Sequence, residues 1–184
     1  MRCVRRRPST GSISRMIKYL PSATSVVLEE IPDMVSIAVD ISNCRGNCVG
    51  CHSPWLQTDI GEELTREVVD RIIGENFGVN CFLFLGEGRD PQALTALASY
   101  ISTHHGLRVA LYSGRTRVEE EFYEVFDYIK LGPYIASHGP LNKPTTNQRL
   151  YRITRLPGQP PLLEDITSRF WHRGLEGKKD RGFD

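Results

Sequence analysis

Three thiols, Cys44, Cys48 and Cys51, stand at CxxxCxxC spacing in the segment Cys44-Arg45-Gly46-Asn47-Cys48-Val49-Gly50-Cys51. Two glycines and an asparagine let such a backbone curl so that all the sulfurs face one centre. That is the chemistry of a metal-cluster loop. An iron-sulfur cube held by three cysteines keeps one iron open to a small ligand, whereas a structural zinc site closes its tetrahedron with protein ligands. A zinc site here would need the three thiols and His52, and adjacent Cys51 and His52 would have to turn to one ion, an awkward geometry. The remaining thiols have other readings: Cys81 sits in the apolar run Val79 to Leu85 and reads as a core residue, and Cys3 lies in a tail.

Other stretches offer polar groups at turns. Gly86-Glu87-Gly88-Arg89 follows an apolar run and reads as a tight strand-to-helix turn; a dinucleotide fingerprint would need a further glycine where Pro91 stands. Ser113-Gly114 is a second such turn, and Lys130 reads as a rim charge. By residue type alone Thr145 to Arg149 is a solvated loop, Trp55 is either core or a docking surface, and His104 with His105 close a helix, where a cation suits the dipole.

The elements that must position these groups alternate. Val35, Ile37, Val39 and Ile41 interleave with Ser36, Ala38, Asp40 and Ser42, which is the period of a strand, and the cysteine loop follows directly. Leu64, Val68, Val69, Ile72 and Ile73 stripe one face of a helix predicted from about Glu62 to Ile73. Val79 to Leu85 is a buried strand; Asp90 and Pro91 are an N-cap and first helical residue; Leu94, Leu97, Ala98 and Ile101 continue a helix that stops at Gly106. Leu107 to Tyr112 is a third strand. Glu119, Glu120 and Glu121 open a short helix with Phe122, Val125 and Phe126 inward, and Asp127 to Leu131 is a fourth strand. Repeated βα units predict an α/β fold with parallel strands, and four or five units make an open, partial βα barrel. Beyond Pro133 five prolines punctuate a mostly irregular stretch, with a possible strand at Arg149 to Ile153 and a short element at Leu162 to Trp171.

At 184 residues and a formal charge of +1, the chain is one ordinary globular unit, with no reason to expect nucleic acid or an anionic membrane as partner. Its apolar runs fall short of a membrane span. Five cysteines, three of them in one short loop, fit a reducing, cytoplasmic setting better than a disulfide framework. Residues 1–15 are arginine-rich and acid-free and read as a disordered basic extension; 16–172 form the domain, and 173–184 a flexible tail.

The CxxxCxxC spacing resembles the signature of radical S-adenosylmethionine enzymes. The loop Cys44 to Trp55, the run Phe82 to Pro91, Leu131-Gly132-Pro133-Tyr134 and Thr145-Thr146-Asn147-Gln148-Arg149 together resemble the anaerobic ribonucleoside-triphosphate reductase activating proteins, over roughly Met16 to Phe170. That resemblance implies one 4Fe-4S cluster on Cys44, Cys48 and Cys51, with S-adenosylmethionine on its open iron. It also implies cofactor contacts from Gly50, Cys51, His52, Gly86, Glu87 and Ser113. The family usually has a glycine pair and then an acid where this chain has Gly86-Glu87-Gly88, so the acid and second glycine are exchanged here. The implied activity is activation of the large subunit of anaerobic ribonucleotide reductase by hydrogen abstraction from a glycine, with a reductant such as flavodoxin and no side chain acting as acid or base. The alternatives are a radical S-adenosylmethionine enzyme acting on a small molecule, of the modified-base synthase type, and a zinc-binding interaction module.

Overall fold

A computed structural model describes residues 16–46, 51 and 53–171. The elements are β1 (Lys18–Tyr19), β2 (Ser25–Val27), β3 (Ser36–Asp40), β4 (Glu62–Glu63), α1 (Arg66–Glu75), β5 (Cys81–Leu85), α2 (Pro91–Tyr100), β6 (Arg108–Tyr112), α3 (Glu120–Val125), β7 (Tyr128–Leu131), β8 (Arg149–Thr154) and β9 (Leu162–Asp165). The expected basic extension 1–15 and tail 173–184 lie outside the described residues. Among those residues no helix is long and apolar enough to cross a membrane.

The fold is α/β. Seven strands form one sheet in the order β2-β3-β5-β6-β7-β8-β9, and β1 pairs with β4 in a separate two-stranded clip. β3, β5, β6 and β7 are parallel neighbours, with α1, α2 and α3 returning the chain between successive strands. The flanks depart from the expected all-parallel arrangement: β2 meets β3 antiparallel, and β8 and β9 add antiparallel strands beyond β7. Between Leu131 and Arg149 no helix forms among the described residues, so the chain doubles back along β7 instead of crossing a face. The stretch expected to be irregular therefore contains a β8-β9 hairpin, and the element expected at Leu162 to Trp171 is β9 plus a single 3-10 turn, Thr167–Phe170.

Both faces of the sheet are covered, as a parallel sheet requires. Ile37 and Val39, Phe82 and Phe84, Val109 and Leu111, and Ile129 face α1, α2 and α3, whose Val69, Ile72, Leu94, Leu97, Ala98 and Phe122 complete that core. On the other face Ala38, Leu83, Ala110, Tyr128 and Leu150 pack against Ile31, Ile166 and Phe170. Among the described residues no α-helix lies in this second core; it is covered by the chain before β3 and the segment after β9, tied together by an Arg169–Asp33 ion pair. The polar-looking side of β3 is thus buried too, Ser36 being 0 % exposed. Small residues stand there because loops, not bulky helical side chains, press on that face.

The helix expected from Glu62 starts only at Arg66. Thr65 Oγ1 accepts the Val68 N–H at 3.3 Å as an N-cap, and Glu62–Glu63 are taken by pairing with β1. α2 opens as predicted, with Asp90 Oδ1 accepting from the Ala93 amide at 2.9 Å, then passes into a π-helical turn, Ile101–His105, and ends at Gly106 in the left-handed region (φ 67°).

Phe84 is fully buried with its ring 5.0 Å from Phe82 and 5.9 Å from Phe126. Phe84→Ala should lower the unfolding free energy by about 3–5 kcal/mol, read from the urea midpoint.

Candidate functional site

Parallel strands deliver their carboxyl ends to one edge of the sheet, and the polar turns converge there. β3 leads into Cys44, β5 into Gly86-Glu87-Gly88, and β6 into Ser113. Cys44, Gly86, Glu87 and Ser113, all singled out from the sequence, line one cleft together with Arg45 and Arg115. The base of the cysteine loop is pinned shut. Ser42 Oγ donates to the Ile60 carbonyl at 2.7 Å, the Cys44 amide donates to the Leu56 carbonyl at 2.8 Å, and Asn43, in the left-handed region (φ 59°), donates from Nδ2 to Asp59 at 2.9 Å. A 3-10 turn over Pro54–Gln57 returns the chain. Cys48, Gly50 and His52 lie outside the described residues; Cys44 and Cys51 are half-buried free thiols.

The turn after β5 is built by its glycines. Gly86 has φ 111°, and a Cβ there would sit 3.1 Å from the Ile41 carbonyl oxygen. This turns Glu87 inward, 7 % exposed. The Ser113 hydroxyl donates to Glu87 Oε1, and Arg115 Nη1 donates to Oε2 at 2.8 Å. Ser113 Oγ in turn accepts the Arg115 amide at 3.0 Å. The same guanidinium reaches Glu119 at 3.1 Å, Glu119 faces Arg45 Nη1 at 3.7 Å, and Arg45 Nη2 donates to the Arg89 carbonyl. A chain of alternating charges therefore runs from inside the cysteine loop to the buried carboxylate of the β5 turn.

Arg45, Arg115 and Glu119 were not among the sequence-derived site residues. The one local signal was the four-residue spacing of Arg115 and Glu119, which speaks only for a helix, and Arg115 precedes α3.

The donor set fits a thiolate-bound metal centre. The Gly46 amide donates to Cys44 Sγ, 3.3 Å away, the kind of hydrogen bond that cluster-bound sulfurs accept. Among the described residues no group of three or more His, Cys, Asp and Glu side chains is placed to hold a metal; the middle thiol of the motif is not one of those residues. The open space within the cleft is about 10 Å³, room for one water. As it stands the cleft is too small for a ligand of nucleoside size.

The other sequence candidates fall elsewhere. Lys130 sits with Nζ 5.3 Å from the centre of the Tyr112 ring, on the loop-covered face. Thr145 to Arg149 is not a solvated loop: Thr146 and Gln148 are buried, and Asn147 Nδ2 donates to the Pro133 carbonyl at 2.8 Å, clamping the turn after β7. Trp55 is half exposed beside the cysteine loop. His104 stacks on Tyr100, and His105 Nε2 lies 2.7 Å from Asp70, on the helical side of the sheet.

Burial pushes the Cys81 thiol up to about 12. Alkylation of the native protein at pH 8 should modify Cys44 and Cys51 and spare Cys81 until the chain is unfolded, as peptide mass mapping would show. Arg115→Gln strips Glu87 of its charge partner and should destabilise the protein by about 1–3 kcal/mol in urea, water at the half-exposed guanidinium position limiting the loss. No protein-family model, curated protein or solved structure matches this chain.

Proposed function

We propose that this chain is a radical S-adenosylmethionine activase, an open, partial βα barrel whose substrate is a glycine-bearing loop of anaerobic ribonucleotide reductase. The observation that carries the reading is convergence. A cysteine from the loop after β3, an acid from the turn after β5 and a hydroxyl from the turn after β6 line one cleft at the carboxyl edge of parallel strands. Cys44, Cys48 and Cys51 would hold a 4Fe-4S cluster, and when S-adenosylmethionine is bound there the pair supplies one-electron cleavage of the sulfonium and hydrogen-atom abstraction. The chain's own residues bind and orient. Glu87, buried and already accepting two hydrogen bonds, is placed to take an ammonium group in exchange for Arg115. Gly86 lets a ligand approach the backbone, Ser113 fixes the Glu87 carboxylate, and Gly50 and His52 would wall the loop side. Trp55, Tyr134 and Ile135 offer exposed apolar surface for a protein partner. A flavodoxin-type reductant and a cytoplasmic setting go with this chemistry.

The test is anaerobic reconstitution with iron and sulfide, followed by dithionite reduction in the presence of S-adenosylmethionine and the large reductase subunit. The expected result is a brown protein that releases 5′-deoxyadenosine and leaves a glycyl radical signal on the reductase, both lost in Cys44→Ala. A colourless, zinc-loaded protein, or an iron-sulfide-loaded one that releases no 5′-deoxyadenosine even with reductase, would overturn the reading.

A further inference from the structure

At the opposite edge of the sheet, where β6 and β7 begin, a second cleft of about 440 Å³ opens, within the range of small-molecule sites. Arg108 stands at the first residue of β6, Arg152 in β8 is paired in register with Tyr128, and Arg155 follows β8 directly. These three guanidiniums share the cleft with one carboxylate, Asp127, and an apolar wall that includes Met34 and Tyr128.

The three arginines do different work. Arg155 is structural: Nη1 donates to the Tyr123 and Phe126 carbonyls at 3.2 and 2.8 Å, and Nη2 to Asp127 Oδ1 at 2.9 Å. Asp127 is buried and fully used, since Oδ1 also takes Arg108 Nη1 at 3.1 Å and Oδ2 takes the Val109 amide at 3.0 Å. One carboxylate therefore faces two guanidiniums. Arg152 adds a third, and its partner Glu164 accepts from Nε at 2.9 Å and from Nη2 at 2.5 Å, in a solvent-exposed pair that contributes little. The side chains of Arg108 and Arg152 are 63 % and 49 % exposed, and both residues line the cleft. Three guanidiniums thus face two carboxylates, an excess of positive charge, and the planar guanidinium fork matches phosphate oxygens.

We infer that this cleft binds a small phosphate-bearing anion, a phosphomonoester or polyphosphate, held by Arg108 and Arg152. The five-residue strands β5 and β6 separate it from the cysteine edge by about 16 Å, so its ligand takes no part in chemistry there. The site stands whether or not the cysteine loop carries a cluster.

Isothermal titration of the full chain with pyrophosphate tests it, with circular dichroism melting to show that each variant folds. Wild type should bind one equivalent. Arg152→Gln and Arg108→Gln should each weaken binding about tenfold, the loss of one charge-assisted hydrogen-bonding partner, while Asp127 keeps Arg155 and the Val109 amide in the second variant. Glu164→Gln should tighten binding severalfold by releasing Arg152. Absence of saturable binding at millimolar pyrophosphate would overturn the inference. So would equal affinity in wild type and both arginine variants, which would place the anion on another basic surface.

Discussion

Hydrogen bonding between β3, β5, β6 and β7 is parallel, and parallel neighbours can be joined only by a crossover that carries the chain back over a face of the sheet. Each crossover ends where the next strand begins, so these four strands all leave the sheet at the same edge. Cys44, Gly86, Glu87 and Ser113 are far apart in sequence and meet because of this, with no contact among them needed to bring the chain together. Groups placed this way inherit the rigidity of the ladder. The cysteine loop would otherwise be free at both ends, and it is held by the bonds from Ser42, Asn43 and Cys44 to residues 56–60.

Burying a parallel sheet on both faces needs two coverings, and this chain makes them from different material. The helical side is close-packed aromatic and branched aliphatic, with Phe82, Phe84, Phe122 and Phe126 in mutual edge or tilted contact. The other side is covered by loops, whose backbone polar groups need partners. Tyr112 supplies one by donating its hydroxyl to the Glu30 carbonyl, and from the covering segment Thr167 Oγ1 in turn accepts the amide of Leu150 in β8 at 2.9 Å. Burial beside Glu30 holds the Tyr112 phenol above its ordinary range, so it remains a donor.

The parallel core was legible in the sequence because its signals are local: runs of alternating or continuous apolar residues, Asp90-Pro91 at a helix start, Gly106 at a stop. The cysteine motif was legible for the same reason. β1, β2, β4 and β9 run two to four residues, too short for a periodicity to show, and their identity comes from pairing with distant segments. Thr145 to Arg149 looked solvated because its residue types are polar, yet Asn147 satisfies a turn carbonyl and Thr146 and Gln148 are buried beneath it. The Arg45–Glu119–Arg115–Glu87 chain left only the four-residue spacing of Arg115 and Glu119, since ion pairs between separate turns leave no spacing to read.

The order Gly86-Glu87-Gly88 has a packing reason. A Cβ at position 88 would meet Ile17 and Ile41 at 3.3 Å each, with the backbone at φ 64°, so an acid does not fit there. Position 87 is where a carboxylate can turn into the cleft. Its partner is replaceable: Arg115 is 38 % exposed and has Glu119 as a second acceptor, so it can release Glu87 to an incoming cation and still face an acid. The other buried acid, Asp127, is locked by two guanidiniums and an amide. A carboxylate with two partners, one of which can leave, suits a ligand that comes and goes, whereas one with three serves to fix the start of β6 and the end of β8.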